Sequence, residues 1–203
     1  MLEIEGFILA GGASSRMGCD KARLRLGGET FAARIARSLG AITPHVRVVS
    51  TRLDSAALSL PIVPDIYAER GALGGLHAAL SACRAPWAAV VSCDLPFASS
   101  ALWQRLATYA TDEFDAVAPL QADARVQPLC TLYRRASCLA HVEEMLRSGE
   151  LRPRVLLQRV RTRLVKPDEL TDLTDAERLL ANINTPDDYR QAKAWAEKTD
   201  AEC

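Results

Sequence analysis

The sequence predicts an α/β fold: a three-layer sandwich in which helices cover both faces of a mostly parallel mixed sheet. Short apolar segments bounded by Gly, Pro or Asp alternate with segments of helical spacing along the 203 residues, a pattern typical of βαβ units. A glycine-rich loop and two aspartates each follow a predicted strand. Ligands of parallel α/β sheets bind at the carboxyl ends of the strands, so these segments are the first candidates for a functional site.

The predicted strands share short apolar runs, and the run at 87–92 is unbroken, as in strands that are buried on both faces. A short extended piece with a turn at Gly27–Gly28 is predicted before the first helix. The full set of predicted strands is 4–9, 46–49, 60–65, 87–92, 115–119, 126–132 and 163–165.

The predicted helices combine apolar residues at helical spacing with recognisable start and stop residues. Gly40 and Gly149 end two of them, Gly74–Gly75 begin the second one, and Thr185–Pro186 begin the last one. The full set of predicted helices is 31–39, 73–83, 100–110, 135–147 and 186–198.

The loop after the first strand has the features of a phosphate-binding loop. Gly11 and Gly12 lack side chains, so a bulky anion can lie against the backbone N–H groups there. Arg16 and Lys21 are long cations that can reach the same anion. Neither the dinucleotide fingerprint nor the Walker spacing is present. The alternative is a strand-to-helix connection whose charges are incidental.

Two aspartates follow other predicted strands. Asp94 comes after the buried run 87–92, and Pro96 stiffens the turn that follows it. Asp65 ends the short strand 60–65. Mg²⁺ prefers carboxylate oxygens and keeps several waters, so Asp94 is the candidate metal ligand. Both aspartates are also ordinary turn residues, which is the competing interpretation.

Composition excludes several classes of protein. Lys plus Arg equals Asp plus Glu, which gives a formal net charge of zero and argues against a nucleic-acid partner. No apolar run approaches the roughly 20 residues of a membrane span, and the acidic start of the chain is unlike a signal peptide. Six cysteines without a Cys-x-x-Cys pair indicate reduced core thiols rather than a zinc site. We therefore expect a cytoplasmic protein that binds no membrane.

The segment 9–21 reads LAGGASSRMGCDK and closely resembles the signature of the molybdenum cofactor guanylyltransferases. The resemblance extends from about residue 7 to about residue 189. It implies a Rossmann-like fold of the nucleotide-diphospho-sugar transferase type over residues 1–203 as a single domain. The half at about 1–110 would bind the nucleotide, and the half at about 111–203 would bind the acceptor.

The same resemblance implies an activity and its ligands. GMP would pass from GTP to the terminal phosphate of molybdopterin, and pyrophosphate would leave. Gly11 stands where the related cytidylyltransferases have alanine, which favours GTP over CTP. The family's products go to molybdoenzymes, so delivery proteins and molybdoenzyme chaperones are implied as partners. A phosphate nucleophile needs no general base, so catalysis would depend on positioning and on neutralising charge.

The resemblance also implies roles for individual residues. Arg16, Lys21 and Asp94 would be catalytic, with Asp94 binding Mg²⁺. Residues that would contact GTP are Leu9, Ala10, Gly11, Gly12, Lys21, Asp65 and Asp94. Asn182 and Asn184 would lie near the acceptor. Ala72 departs from the family pattern, which has proline there.

Some alternatives stay open at the level of the sequence. One is a related transferase that uses CTP or a sugar-phosphate acceptor, and another is a nucleotide-binding protein without catalysis. Asp65 can contact either the metal or the nucleotide. Arg152 and Arg154, in a segment without an assigned element, can bind a phosphate or face water.

Overall fold

The structure is a computed structural model that describes residues 2–10, 21–51 and 59–201. Its centre is a seven-stranded sheet in the order β5-β4-β1-β6-β8-β7-β9. The strands are β1 (Ile4–Leu9), β4 (Val46–Ser50), β5 (Ile62–Pro64), β6 (Trp87–Ser92), β7 (Ala116–Pro119), β8 (Cys130–Arg134) and β9 (Thr162–Val165). A separate hairpin consists of β2 (Arg25–Leu26) and β3 (Glu29–Thr30).

The sheet is mixed but mostly parallel. β1 pairs in parallel with β4 and β6, β4 with β5, and β7 with β9. Only β8, among the strands of the described sheet, runs against its neighbours β6 and β7. The carboxyl ends of β1, β4, β5 and β6 therefore lie along one edge, as the alternation of elements predicts.

Helices cover both faces of the sheet. α1 (Phe31–Leu39) and α3 (Ser100–Thr108) pack on one face, and α2 (Gly71–Ala82), α4 (Arg135–Ser148) and α5 (Pro153–Arg159) pack on the other. β6 supplies side chains to both layers, since Trp87 and Val91 join the first core and Val90 joins the second. This period of two explains its unbroken apolar sequence.

The last helix, α6 (Pro186–Ala201), belongs to a third, smaller core. Phe31 and Ile183 are buried in this core together with Leu26 of the hairpin. The Tyr189 hydroxyl donates to the Arg25 carbonyl at 2.8 Å. The small core therefore holds the start of α6 beside the hairpin, which begins four residues after Lys21.

Several boundaries differ from the sequence prediction for identifiable reasons. α2 begins at Gly71, so Gly74 and Gly75 lie inside the helix instead of beginning it. β8 begins at Cys130 instead of residue 126, since Pro128 has no N–H for a ladder. α5 has no predicted counterpart. No helix in the described part of the chain is long and apolar enough to cross a membrane.

Candidate active site

The carboxyl edge of the sheet brings the end of β1 and the turn after β6 together. The Cys93 N–H donates to the Leu9 carbonyl at 3.1 Å, and the Ala10 N–H donates to the Val49 carbonyl at 2.9 Å. Leu9 and Ala10, which were predicted to contact the nucleotide, therefore lie between β4 and the turn that carries Asp94. The segment that continues from Ala10, with the predicted residues Gly11, Gly12 and Arg16, lies outside the described residues.

Lys21 reaches the same edge from a short 3₁₀ helix, Lys21–Arg23. Its Nζ donates to Asn184 Oδ1 at 2.6 Å and lies 3.8 Å from Asp94 Oδ2. The side chains of Lys21 and Asp94 are only 14% and 19% exposed. The ammonium is therefore held by a short hydrogen bond to a neutral amide and by a looser ion pair to a carboxylate.

One carboxylate oxygen of Asp94 lacks a partner. Oδ1 is buried and accepts no hydrogen bond from the described residues. A buried carboxylate oxygen without a donor is costly, and a cation would satisfy it. No group of three or more metal-ligating side chains occurs in residues 2–10, 21–51 and 59–201. This arrangement suits Mg²⁺, which uses one or two protein carboxylates and takes its other ligands from phosphates and water.

The segment before α6 is bonded to both of these residues. The Ile183 N–H donates to the Asp94 carbonyl at 2.9 Å, while the Asn184 side chain accepts from Lys21. Asp188 Oδ2 in turn accepts from the N–H groups of Asn184 at 2.9 Å and Thr185 at 2.8 Å. These hydrogen bonds, the one from Asn184 most of all, hold the pKa of Asp188 below its usual value, and the Lys21 charge adds to the effect.

Asp65 lies at the same edge on the α2 face of the sheet. Its Oδ1 accepts from the Tyr67 N–H at 2.9 Å, and burial raises the pKa of the Asp65 carboxyl. A Cβ added at Gly75 would lie 3.8 Å from Asp65 Oδ2 and 3.4 Å from Leu9 Cδ1. Asp65 therefore borders a narrow cleft between the end of β1 and the start of α2.

Glycine at position 74 allows the Asp65 loop to pack onto α2. A Cβ at Gly74 would lie 2.2 Å from the Tyr67 carbonyl oxygen, which is closer than real Cβ contacts allow. The loop backbone and the helix backbone thus meet without an intervening side chain. The tyrosine ring also makes an edge contact with His77, at 4.9 Å between ring centroids.

Asn182 and Gln127 meet on the other side of the site. Gln127 Nε2 lies 3.5 Å from Asn182 Oδ1, at the long limit for a hydrogen bond. Gln127 is buried and Asn182 is half-buried. Both belong to the half of the chain that is predicted to bind the acceptor. Asn182 directly precedes Ile183, whose N–H is bonded to the Asp94 carbonyl, so this pair lies beside the Asp94 turn.

The structure thus gathers most of the predicted site residues at one edge: Leu9, Ala10, Lys21, Asp65, Asp94, Asn182 and Asn184. The link from Asp188 through Asn184 to Lys21 was missed, although the Thr-Pro-Asp-Asp pattern marks a helix start and could have indicated it. Arg152 pairs with Glu150 at 2.5 Å on the surface, and Arg154 is exposed. Neither arginine makes a contact with the residues of this edge in the described structure.

Comparison with known proteins decides the family. The sequence model of the MobA-like NTP transferase domain matches residues 6–164. The chain belongs to this family. The probable molybdenum cofactor guanylyltransferase of Pelotomaculum thermopropionicum is 34% identical over 204 residues, covering 98% of this chain and 96% of its own. The molybdenum cofactor guanylyltransferase of Rhizobium leguminosarum bv. trifolii is 34% identical over 208 residues, covering 96% and 94%.

A solved structure agrees with the fold. The molybdopterin-guanine dinucleotide biosynthesis protein A of Archaeoglobus fulgidus superposes with a TM-score of 0.81 over 96% of this chain and 99% of its own, at 22% identity. The sequence prediction of a mostly parallel three-layer α/β fold is confirmed, and so is the resemblance to the molybdenum cofactor guanylyltransferases. As a member of the MobA-like family, the chain is a nucleotidyltransferase.

Proposed function

We propose that this MobA-like protein transfers GMP from GTP to the terminal phosphate of molybdopterin, releasing pyrophosphate. The observation that carries the proposal is the pairing of Lys21 with Asp94 in the turn after β6, beside the end of β1, with Asp94 Oδ1 buried and without a partner among the described residues. A triphosphate brings several negative charges into one cleft. An ammonium and a carboxylate ready to bind a cation are the groups that such a ligand requires.

We propose that Mg²⁺ is held by Asp94, and that Lys21, beside it, contacts the triphosphate directly. When bound, the ion neutralises phosphate charge and orients the α-phosphate. Lys21 adds a fixed positive charge that stabilises the developing negative charge in the transition state. Its hydrogen bond to Asn184 leaves that charge intact, because the amide oxygen accepts a hydrogen bond but carries no opposite charge.

The position of Asp65 supports a contact with the nucleoside rather than with the metal. It lies on the α2 face, whereas Asp94 lies with Lys21 and Asn184 beside the start of α6. An ionised carboxylate only accepts hydrogen bonds and repels phosphate. Its natural partners in GTP are therefore the ribose hydroxyls and the N–H groups of guanine.

The reaction is an in-line substitution at phosphorus. An oxygen of the molybdopterin phosphate attacks the α-phosphorus of GTP and forms a new P–O–P bond. The bond from the α-phosphorus to the bridging oxygen breaks, and that oxygen leaves with pyrophosphate. Asn182 and Gln127, from the acceptor half, are the polar side chains that would meet the pterin substrate. Arg16 remains a proposed second cation for the phosphates.

The experiment that tests this proposal measures product formation with each nucleotide. The purified protein is incubated with Mg²⁺, molybdopterin and GTP, CTP, ATP or UTP, and dinucleotide and pyrophosphate are quantified. We expect GTP to be used at least about tenfold faster than CTP, which corresponds to about 1.4 kcal/mol of discrimination. Preferred use of CTP, or of a sugar phosphate as acceptor, would indicate the related transferase. GTP binding without turnover would indicate a binding protein.

We also propose that the protein works in the cytoplasm and passes its product to delivery proteins or molybdoenzyme chaperones. The buried cysteines support a reducing compartment, because Cys83, Cys130 and Cys138 form no disulfide in the described structure. Cell fractionation and co-purification of a tagged chain with molybdoenzyme chaperones test this. Recovery in a secreted fraction would contradict it.

A further inference from the structure

Residues 183–188, which lead into α6, are bonded to both candidate site residues and to each other. The Ile183 N–H donates to the Asp94 carbonyl, and the Asn184 side chain accepts from the Lys21 ammonium. Asp188 accepts from the N–H groups of Asn184 and Thr185. Reciprocally, Thr185 Oγ1 accepts from the Asp188 N–H at 3.1 Å. This is a capping box, in which the side chains at the first and fourth positions each satisfy the other's backbone.

The capping box extends one residue further than helix capping requires. Asp188 Oδ2 binds the N–H of Asn184, which precedes the capping residue Thr185. That bond fixes the backbone from which the Asn184 side chain reaches Lys21. A helix start could be satisfied by the bonds between Thr185 and Asp188 alone, so the bond to Asn184 has another consequence.

We propose that Asp188 is a positioning residue for Lys21, acting through Asn184. The chain of contacts runs from the carboxylate to the Asn184 N–H at 2.9 Å, and from Asn184 Oδ1 to Lys21 Nζ at 2.6 Å. Asp188 touches neither substrate nor reacting atoms in this scheme. It fixes the direction of the only amide that holds the ammonium among the described residues.

This inference rests on the proposed function for its kinetic part but not for its structural part. Loss of Asp188 frees the Asn184 backbone, so the amide oxygen leaves Lys21 for part of the time. Of its contacts in the described part of the chain, the ammonium then keeps the 3.8 Å one with Asp94. A small misplacement of a catalytic group costs turnover steeply, while GTP binding depends on many other contacts and changes less.

The test compares Asp188→Ala with Asp187→Ala in the full chain. Asp187 is the neighbouring residue of the same helix, its side chain is 80% exposed, and within the described ranges its ion pair is with Arg190 on the surface. We expect Asp188→Ala to lower kcat about tenfold with KM for GTP within about threefold, and Asp187→Ala to stay within about twofold of the wild type. Asp188→Glu keeps a carboxylate that can reach both N–H groups, and it should restore kcat to within about threefold.

Two further readouts separate positioning from a general loss of structure. In the Lys21→Ala background, Asp188→Ala should lower kcat no further, because the group that it positions is gone. Acetic anhydride labelling of Lys21, read by peptide mass spectrometry, should be about fivefold faster in Asp188→Ala than in the wild type or in Asp187→Ala, since the amine is no longer held.

The proposal would be overturned if Asp188→Ala lowered kcat by the same factor in the wild type and in Lys21→Ala, or if it left the labelling rate of Lys21 unchanged. Asp188 would then be a helix cap only. A wild-type protein that forms no dinucleotide would refute the proposed function instead. The labelling comparison needs no turnover, so it would still decide the role of Asp188 in that case.

Discussion

Asp94 and Asp115 lie at opposite edges of the same sheet and have contrasting surroundings. Asp115 precedes β7 and is 8% exposed, and its carboxylate accepts from the Arg161 N–H and guanidinium and from the Ser137 hydroxyl. Asp94 follows β6 and has the 3.8 Å contact with Lys21, while its Oδ1 has no partner among the described residues. Both carboxylates are largely buried, yet only that of Asp115 has a hydrogen-bond donor at each oxygen among the described residues.

The difference separates a carboxylate that stabilises the fold from one whose free oxygen makes it a candidate ligand-binding group. Hydrogen bonds from Arg161, more than any other cause, hold the pKa of Asp115 below its usual value, so this residue stabilises the fold. Asp94 Oδ1 is buried without a donor in the described structure, which destabilises the fold unless a bound ligand or cation contacts that oxygen. Substitutions at these two positions should therefore affect different properties, and the predictions below test that separation.

The largest effect is expected at Lys21. Lys21→Ala should lower kcat about a thousandfold, or about 4 kcal/mol of transition-state stabilisation, since it removes the charge that faces the transferring phosphoryl group. Pyrophosphate release measures the activity, and circular dichroism should show an unchanged fold. Lys193→Ala, which removes an exposed lysine over the Tyr189 ring, is the matched control and should retain nearly full activity. Substantial turnover by Lys21→Ala would contradict the proposed site.

Asp94→Asn should lower kcat by about a hundredfold, because a neutral amide binds a divalent cation poorly. The free energy of unfolding should change by less than about 0.5 kcal/mol, since removing a buried charge that lacks a donor at Oδ1 and losing the ion pair with Lys21 offset each other. Turnover at a series of Mg²⁺ concentrations, together with urea unfolding, measures both quantities. A variant that unfolds easily but keeps normal turnover would reverse the comparison with Asp115.

Asp115→Asn should do the opposite. Its turnover per folded molecule should equal that of the wild type, while its free energy of unfolding should fall by about 1–2 kcal/mol through weakened bonds to Arg161, a side chain that is largely exposed. Because the folded pKa is depressed, this contribution is present above the unfolded pKa of 3.8 and is lost as pH falls through the folded pKa. Urea unfolding of both proteins from pH 6 down to pH 3 should show the gap closing on acidification. A gap that widens would contradict the assignment.

The smallest effect is expected at Asp65. Asp65→Asn should raise KM for GTP by about tenfold, or about 1.4 kcal/mol, with a smaller change in kcat, because it weakens binding to the nucleoside that is equal in ground and transition states. Steady-state kinetics with GTP varied at saturating acceptor measure the two constants. A fall in kcat matching that of Asp94→Asn, with altered Mg²⁺ dependence, would show instead that Asp65 shares the metal.

The sequence predicted the strands and helices that have strong local patterns. The unbroken apolar run of β6 and the helix of α1 between Thr30 and Gly40 have the predicted limits. α5 was missed, because seven residues with two buried leucines are too short to show a helical period. The start of α2 was displaced, because glycines usually end helices, and the close approach of the Tyr67 carbonyl that requires Gly74 is not visible in one sequence.

The sequence named candidate site residues but not the hydrogen bonds that connect them, and the roles of those residues stay predictions. Lys21 and Asn184 are separated by 163 positions, and nothing local to either one indicates the other. Asn184 was predicted near the acceptor, and that role stays a prediction, now with a hydrogen bond to Lys21 beside it. Residues 11–20, which hold Gly11, Gly12 and Arg16, are outside the described structure, so their predicted roles also stay predictions.

The hydrogen bond from Ile183 to the Asp94 carbonyl has a thermodynamic consequence. It attaches the carboxyl-terminal helix to the turn that would receive the cation, so occupancy of that turn and docking of the helix should favour each other by equal amounts of free energy. Saturating the protein with Mg²⁺ and GTP should then slow proteolysis within α6, and a chain cut before residue 183 should lose affinity for the nucleotide although every strand beneath it is retained.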